Sequence, residues 1–353
     1  MTRSQRKMEH IKHALATGQS GRQGFADISF IPNSLPNISY VNTDISTSLS
    51  TMRLQSPIFI NAMTGGAKET TEMNRKLAII AREKGLAMAV GSQMAAVKDP
   101  SVAYSYQVVR QENPKGLVFA NLGAEATVEQ AKRAVEMIEA DALQIHVNVM
   151  QELLMPEGDR DFTGYLRNIE EIVERLEVPV IVKEVGFGMA RQTIHQLQQI
   201  GVRIVDVGGF GGTNFAKVEN KRHTDPLEMF EHWGLTTVQS LLEARVCSGN
   251  ETSFIASGGI RDGLEAAKAI ALGASAVGMA GVFLKLAHTE SIERCLEKVD
   301  ELHHQLRIAM TALGVVSLDK LGRVSVVISG ETERWAFVRG MDCREYALRG
   351  EKA

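Results

Sequence analysis

The sequence predicts an α/β protein of 353 residues, a (β/α)8 TIM barrel with an N-terminal arm and a C-terminal helical extension, built as one domain. Three observations carry that expectation. Short, β-branched apolar runs alternate with amphipathic helical patterns from residue 57 onward, as in a parallel sheet. Eight such runs can be counted, the number a closed barrel needs. Several of the intervening helical patterns end on a glycine, as at Gly85, Gly201 and Gly273.

In order, the expected strands are 57–63, 87–91, 117–122, 142–148, 178–185, 202–207, 253–257 and 276–279, with crossover helices such as 72–84, 128–139, 166–176 and 264–272. Residues 1–56 precede the first strand and form the arm, with a helical opening and then a Pro/Asn/Ser-rich stretch. Residues 57–288 form the barrel. In the tail, 289–353, Ile292, Cys295, Leu296, Val299, Leu302, Leu306 and Ala309 mark one face of a long helix. Core packing is the expectation for this face, with a subunit contact as the alternative.

Composition removes several classes of function. Acidic and basic side chains nearly cancel, 42 against 39, and neither sign forms a block that would attract nucleic acid or a membrane surface. Cys247, Cys295 and Cys343 stand far apart without C-x-x-C spacing, which argues against a disulfide framework or a zinc site and for a reducing cytoplasm. Residues 1–15 are basic and lack the apolar core of a secretory signal. The most apolar stretch, 269–284, is broken by Gly273, Ser275, Gly278 and Gly281 and reads as helix end, turn and strand rather than a membrane span.

Barrel chemistry collects on the loops that follow each strand, and here those positions are rich in hydrogen-bonding groups. The first three strands end in Asn61-Ala62-Met63-Thr64-Gly65-Gly66, Gly91-Ser92-Gln93 and Asn121-Leu122-Gly123. Small, uncharged residues of this kind suit a flat hydrogen-bonding ring, although any one of them could equally cap a helix. On the fourth strand, alternation places Gln144, His146 and Asn148 on one face, toward the barrel interior, with Gln151 and Glu152 just above. Inward polar groups need partners, which a ligand or metal could supply. Lys183 ends the fifth strand and either pairs with a carboxylate such as Glu184 or faces a cofactor. Gly208-Gly209-Phe210-Gly211-Gly212-Thr213-Asn214 after the sixth strand suits phosphate or a flexible lid. Ser257-Gly258-Gly259-Ile260-Arg261 and Gly278-Met279-Ala280-Gly281 follow strands seven and eight, where barrels commonly bind phosphate. In the arm, Arg6, Lys7 and His10 form either a solvated basic face or a clamp for a second phosphate group.

Taken together, Arg6-Lys7 with His10, Ala62-Met63-Thr64-Gly65-Gly66, Gly91-Ser92-Gln93, Gln151-Glu152, Gly211-Gly212-Thr213 and Ser257-Gly258-Gly259-Ile260-Arg261 resemble type 2 isopentenyl diphosphate isomerase, from the arm through the eighth strand. The resemblance implies a cytoplasmic FMN-dependent barrel, a homotetramer or larger, that needs magnesium (Mg2+) and a flavin reduced by NADPH or another reductant. It implies interconversion of isopentenyl diphosphate and dimethylallyl diphosphate by adding a proton at C4 and removing one from C2. By motif, Ala62, Met63, Thr64, Ser92, Asn121, Lys183, Thr213, Gly259, Arg261, Ala280 and Gly281 would hold FMN. Arg6, Lys7, His10, His146, Asn148 and Gln151 would contact substrate, with Gln151, Lys183 and His146 as the catalytic set, and Glu152 would bind the metal. Met94 and Asn214-Phe215 depart from residues common in that family.

Two other readings stand beside it. An FMN-dependent 2-hydroxyacid oxidase or dehydrogenase shares the barrel and the Ser-Gly-Gly-Ile-Arg motif, but it needs a histidine base and substrate-binding arginines, and no His-Gly-x-Arg arrangement follows the sixth strand. A non-catalytic flavin or phosphate sensor would leave the Gln151-Glu152 cluster without a use.

Overall fold

Eight parallel strands close on themselves in sequence order: β1 (Ile58–Ile60), β2 (Met88–Ala89), β3 (Val118–Gly123), β4 (Ala142–Val147), β5 (Val180–Glu184), β6 (Ile204–Asp206), β7 (Ser253–Ser257) and β8 (Ala276–Met279), with β8 returning to pair with β1. This computed structural model describes residues 21–247, 249 and 251–352, together with Glu9, Lys12, His13, Leu15 and Ala16. All eight predicted strands are present, most of them trimmed at one or both ends where the chain turns out of the sheet.

Alternation along the strands explains the two-sided core. Val118, Ala120, Leu122, Leu143, Ile145, Val180, Val182 and Val205 point outward and pack under the helices, against residues such as Ala131, Ala134, Ile172, Ile194 and Leu197. Each large aliphatic side chain so buried contributes roughly 1.5–3 kcal/mol. The helices begin where the sequence supplies caps. Thr127 and Gln130 form a reciprocal capping box before Val128–Met137, as Thr236 and Gln239 do before Thr237–Val246. Gly85, at φ 62°, ends Glu69–Lys84 in the left-handed conformation that favours glycine. The tail helix spans Ile292–Ala312 and buries Cys295, Val299, Leu302, Leu306, Ala309 and Met310, so its apolar face is core. Cys247, Cys295 and Cys343 are free thiols, and no helix among the described residues is long and apolar enough to cross a membrane.

The segment before β1 differs from a simple arm over the barrel. Thr47–Leu49 and Met52–Leu54 form a hairpin, turned at Ser50 with φ 53°. Its Leu49, Met52 and Leu54 pack against Phe59, Phe119, Ile181, Ile204 and Ile255. These are the inward residues toward the N-terminal ends of the strands, so the hairpin plugs the floor of the barrel, opposite the mouth. Further upstream, Ile28–Phe30 pairs antiparallel with Val326–Ile328 near the other end of the chain. Neither pairing was predicted, because three-residue strands give little periodicity to read.

The C-terminal region is also held by a buried ion cluster. Glu243, fully buried, accepts from Arg191 Nε and Nη2 at 2.9 Å and from Arg339 Nε and Nη2 at 3.0 and 2.9 Å. Burial alone would push this carboxyl up, but the hydrogen bonds from the two arginines outweigh it and hold the pKa at about 2. The folded-state pKa is depressed, so this stabilisation is present above the ordinary carboxylate value and is lost as pH falls through about 2. Glu243→Ala would strand both guanidinium groups; a loss of about 3 kcal/mol is expected, measurable by urea unfolding at pH 7.

Candidate active site

Inside the barrel the same alternation yields two layers. The lower is apolar, with Phe59 and Phe119 edge to face at 5.9 Å. Two positions further along the strands the layer turns polar: Asn61, Asn121, Gln144, Lys183, Asp206 and Ser257, all buried. These groups form a belt. Ser257 Oγ donates to Asp206 Oδ1 at 2.5 Å, and Asn61 Nδ2 donates to Asp206 Oδ2 at 2.8 Å. Gln144 Nε2 donates to Asn61 Oδ1 at 3.1 Å, Asn121 Nδ2 to Gln144 Oε1 at 3.1 Å, and His146 Nδ1 lies 3.0 Å from Asn121 Oδ1. The inward polar groups need partners, which a ligand or metal was expected to be able to supply; Asn61, Asn121, Gln144, His146, Asp206 and Ser257 instead find them in one another.

Above the belt opens a cavity of about 300 Å³, in the size range of small-molecule sites. Ala62, Met63, Thr64, Ser92, Asn121, His146, Asn148, Gln151, Glu152, Lys183, Thr213, Gly259, Ala280 and Gly281 line it, which brings every described candidate except Arg261 to one place. The Arg261 Nη2 instead donates to the Gly21 carbonyl at 3.0 Å and its backbone N–H to Glu265. Arg6, Lys7 and His10 lie outside the described residues. Of the departures noted in the sequence, Met94 and Phe215 line the cavity, whereas Asn214 caps Phe215–Asn220 by accepting from the Lys217 N–H.

Lys183, Gln151, Asn148 and Glu152 are each held by their neighbours. Lys183, at the end of β5, is buried and donates to the Glu184 carbonyl at 2.8 Å, so it does not pair with the Glu184 carboxylate as one reading had it. That carboxylate turns back to accept from the N–H groups of Gly186, Phe187 and Gly188. Burial pushes Glu184 up to about 7, against the opposing pull of those N–H donors and of the Lys183 charge. Gln151, on the helix Val149–Leu154, donates through Nε2 to Glu219 Oε1 at 3.0 Å, leaving its carbonyl oxygen as the acceptor end. The other Glu219 oxygen accepts from Arg222, whose guanidinium also reaches Glu157 and lies 3.7 Å from Glu9 of the arm. Glu152 accepts from Asn148 Nδ2 at 2.8 Å and from the Asp159 N–H at 2.9 Å.

Opposite these side chains lie the two glycine loops, and they are shaped by each other. A Cβ on Gly258 would sit 1.9 Å from the Gly209 carbonyl oxygen, one on Gly259 2.3 Å from the Gly211 oxygen, and one on Gly212 2.7 Å from the Gly259 nitrogen. The glycines thus let backbone pack on backbone between the loops after β6 and β7. Beside them, the helix Gly281–Thr289 starts without a side-chain cap, with Ala280 and Gly281 on the cavity wall. Its first-turn N–H groups and dipole favour an anion.

Sequence reasoning missed Asp206, Glu125 and Glu219. Asp206 carried a usable signal: on Ile204–Asp206 it shares the inward face with Ile204, as Gln144 does with Ala142. Glu125 lines the cavity near Glu152 and Asp159, with its carboxyl raised first by burial and then by their charges. Glu219 belongs to a turn of helix that is too short for a pattern.

A family model described as FMN-dependent dehydrogenase matches residues 110–328. Among curated proteins, the chain is 52% identical over 350 residues to an isopentenyl-diphosphate delta-isomerase of Geobacillus sp. (strain WCH70), covering 99% of this chain and 100% of that protein. Proteins of the same name from Bacillus licheniformis and Bacillus mycoides are 54% and 55% identical at the same coverage. Solved structures share the fold at lower identity: a flavocytochrome b2 variant at TM-score 0.69, 19% identity, 91% of this chain and 83% of that chain, and a mandelate oxidase variant at TM-score 0.61, 17% identity, 91% and 96%.

Proposed function

The chain belongs to the isopentenyl-diphosphate delta-isomerases and, through residues 110–328, to the FMN-dependent dehydrogenase family, and from that premise we propose how its cavity interconverts isopentenyl and dimethylallyl diphosphate. The observation that carries the reading is the convergence of His146, Asn148, Gln151, Glu152 and Lys183 on one cavity, facing two glycine loops and an uncapped helix N-terminus. A flavin mononucleotide fits that wall: the uncapped helix suits its phosphate, and Ala62, Met63, Thr64, Ser92, Asn121, Lys183, Thr213, Gly259, Ala280 and Gly281 would surround it, with Arg261 one layer behind. Bound and reduced, FMN supplies an acid–base group against an alkene that is too weak a base to be protonated from water.

The net reaction adds a proton at C4, moves the double bond, and releases a proton from C2, so no electrons are gained or lost. Lys183, the single Lys or Arg among the described residues of the wall, places its positive charge where an electron-rich ring is stabilised. Gln151, locked through Glu219, positions the alkene with its carbonyl oxygen. Glu152 would hold Mg2+, which takes oxygen ligands and would neutralise part of the diphosphate charge. No group of three or more His, Cys, Asp and Glu side chains among the described residues forms a metal cage by itself. The remaining diphosphate charge falls to Arg6, Lys7 and His10 of the arm, whose Glu9 stands by Arg222. NADPH as reductant, a cytoplasmic location and a homotetramer or larger assembly complete the proposal.

The reading is tested by incubating the purified protein with isopentenyl diphosphate, Mg2+, FMN and a reductant. Formation of dimethylallyl diphosphate that stops when the flavin is left oxidised is the expected result; a yellow protein without isomerisation overturns it. The wall lacks an arginine among the described residues, so a 2-hydroxyacid finds no carboxylate clamp there. The double variant Arg6→Ala, Lys7→Ala is expected to raise the substrate KM by about a hundredfold, as loss of two charge-assisted contacts implies, with flavin content unchanged. Unchanged KM removes the arm from the site.

A further inference from the structure

The belt beneath the cavity has a direction. We infer that it is a hydrogen-bond relay which fixes the proton of His146 on Nδ1, so that this imidazole exchanges protons only through Nε2; Asp206, Asn61, Gln144 and Asn121 act as positioning residues. The argument starts from groups that can play one role only. The Asp206 carboxylate can only accept, and it receives Ser257 Oγ, the Gly208 N–H and Asn61 Nδ2. At the next link the Ala62 backbone N–H can only donate, and it donates to Asn61 Oδ1 at 2.9 Å. The Asn61 amide is therefore fixed from both ends.

Each later link follows from the one before. With Asn61 Oδ1 as acceptor, Gln144 must present Nε2 to it, which turns Gln144 Oε1 toward Asn121. Asn121 must then present Nδ2 to Gln144, which turns its Oδ1 toward His146. An oxygen 3.0 Å from His146 Nδ1 requires a proton on that nitrogen. Reversing the His146 tautomer would require three buried amides to flip together and would leave Asn61 facing Asp206 and Ala62 with like groups, oxygen against carboxylate and N–H against N–H. His146 is half-buried on the cavity wall, whereas Gln144 lies below it and does not line the cavity. The consequence for the chemistry is one-sided: Nδ1 stays a donor to the belt in both charge states, and any proton that His146 takes up or gives to a ligand travels through Nε2. This last step rests on the reading of His146 as a ligand-contacting residue; the tautomer itself does not.

The test reads the tautomer directly. Holoenzyme labelled with 15N-histidine, with His146→Gln to assign one ring among nine histidines, is expected to show a protonated Nδ1 and an unprotonated Nε2 for the neutral His146 ring. A neutral ring with its proton on Nε2 overturns the relay. Gln144→Met removes the middle link without touching the cavity wall. It is expected to shift His146 toward the Nε2–H form and to lower kcat at least about tenfold, as a wrong tautomer does in other histidine enzymes, while KM and flavin content change less than about twofold. A folded Gln144→Met protein with its tautomer and kcat unchanged overturns the proposal. Should that variant not fold, the wild-type spectrum still decides. A correct tautomer in a protein without isomerase activity would reject the proposed function and leave the relay standing.

Discussion

Replacing Gly258 by alanine is expected to unseat the flavin and lower the melting temperature by about 5 °C. The added methyl would lie 1.9 Å from the Gly209 carbonyl oxygen, and the residue sits at φ +109°, where an L side chain is strained. Backbone strain costs roughly 1–3 kcal/mol, and overpacking that no rotamer can relieve costs roughly 1–3 kcal/mol more. In a chain of 353 residues each kilocalorie moves the melting point by only about 1–2 °C. The loop after β7 must move away from the loop after β6, and both line the cavity. Gly164→Ala is the control: φ is +84°, yet nothing lies within 4 Å of the new methyl. It is expected to cost only the strain and to leave flavin bound. Flavin absorbance per mole of protein and thermal melts of the two variants check this, and equal behaviour would show that contact between the loops is unimportant.

Gln151→Ala is expected to lower kcat by about 10²–10³-fold while the protein keeps its flavin, a range typical of a positioned acid–base or orienting group. Gln151 is buried and its amide is tied to Glu219, which in turn is held by Arg222. Truncation removes the carbonyl oxygen from the cavity but leaves Glu219 with its ion pair, so the loss of stability should stay near 1–2 kcal/mol. Turnover close to that of the unaltered protein, at full flavin occupancy, would remove Gln151 from the mechanism.

Much of the barrel was legible because its strands are apolar on both faces near the floor and its crossover helices carry strong periodicity and caps. The candidate residues were legible for a narrower reason. A polar group at an inward position near a strand's C-terminal end breaks an apolar run, and Gln144, His146 and Lys183 all do so. Asp206 breaks its run in the same way and passed unremarked, because a carboxylate before Gly208-Gly209 also reads as a turn former. What alternation could not disclose was how the inward groups pair. That depends on which amide nitrogen meets which oxygen across strands, as between Asn121 and Gln144 or Gln144 and Asn61. The floor hairpin escaped for lack of length, since Leu49, Met52 and Leu54 become apolar contacts only once the barrel exists to receive them.

The pairing of Ile28–Phe30 with Val326–Ile328 bears on how the chain is made. The partner of the first strand is synthesised 300 residues after it, Ile328 against Ile28. During that interval the early strand has an open edge, and β1 to β8 are all translated before it is covered. The clasp therefore comes after the barrel in time, and a nascent chain stalled between residues 279 and 326 would carry all eight barrel strands with a sticky, unguarded strand on their flank.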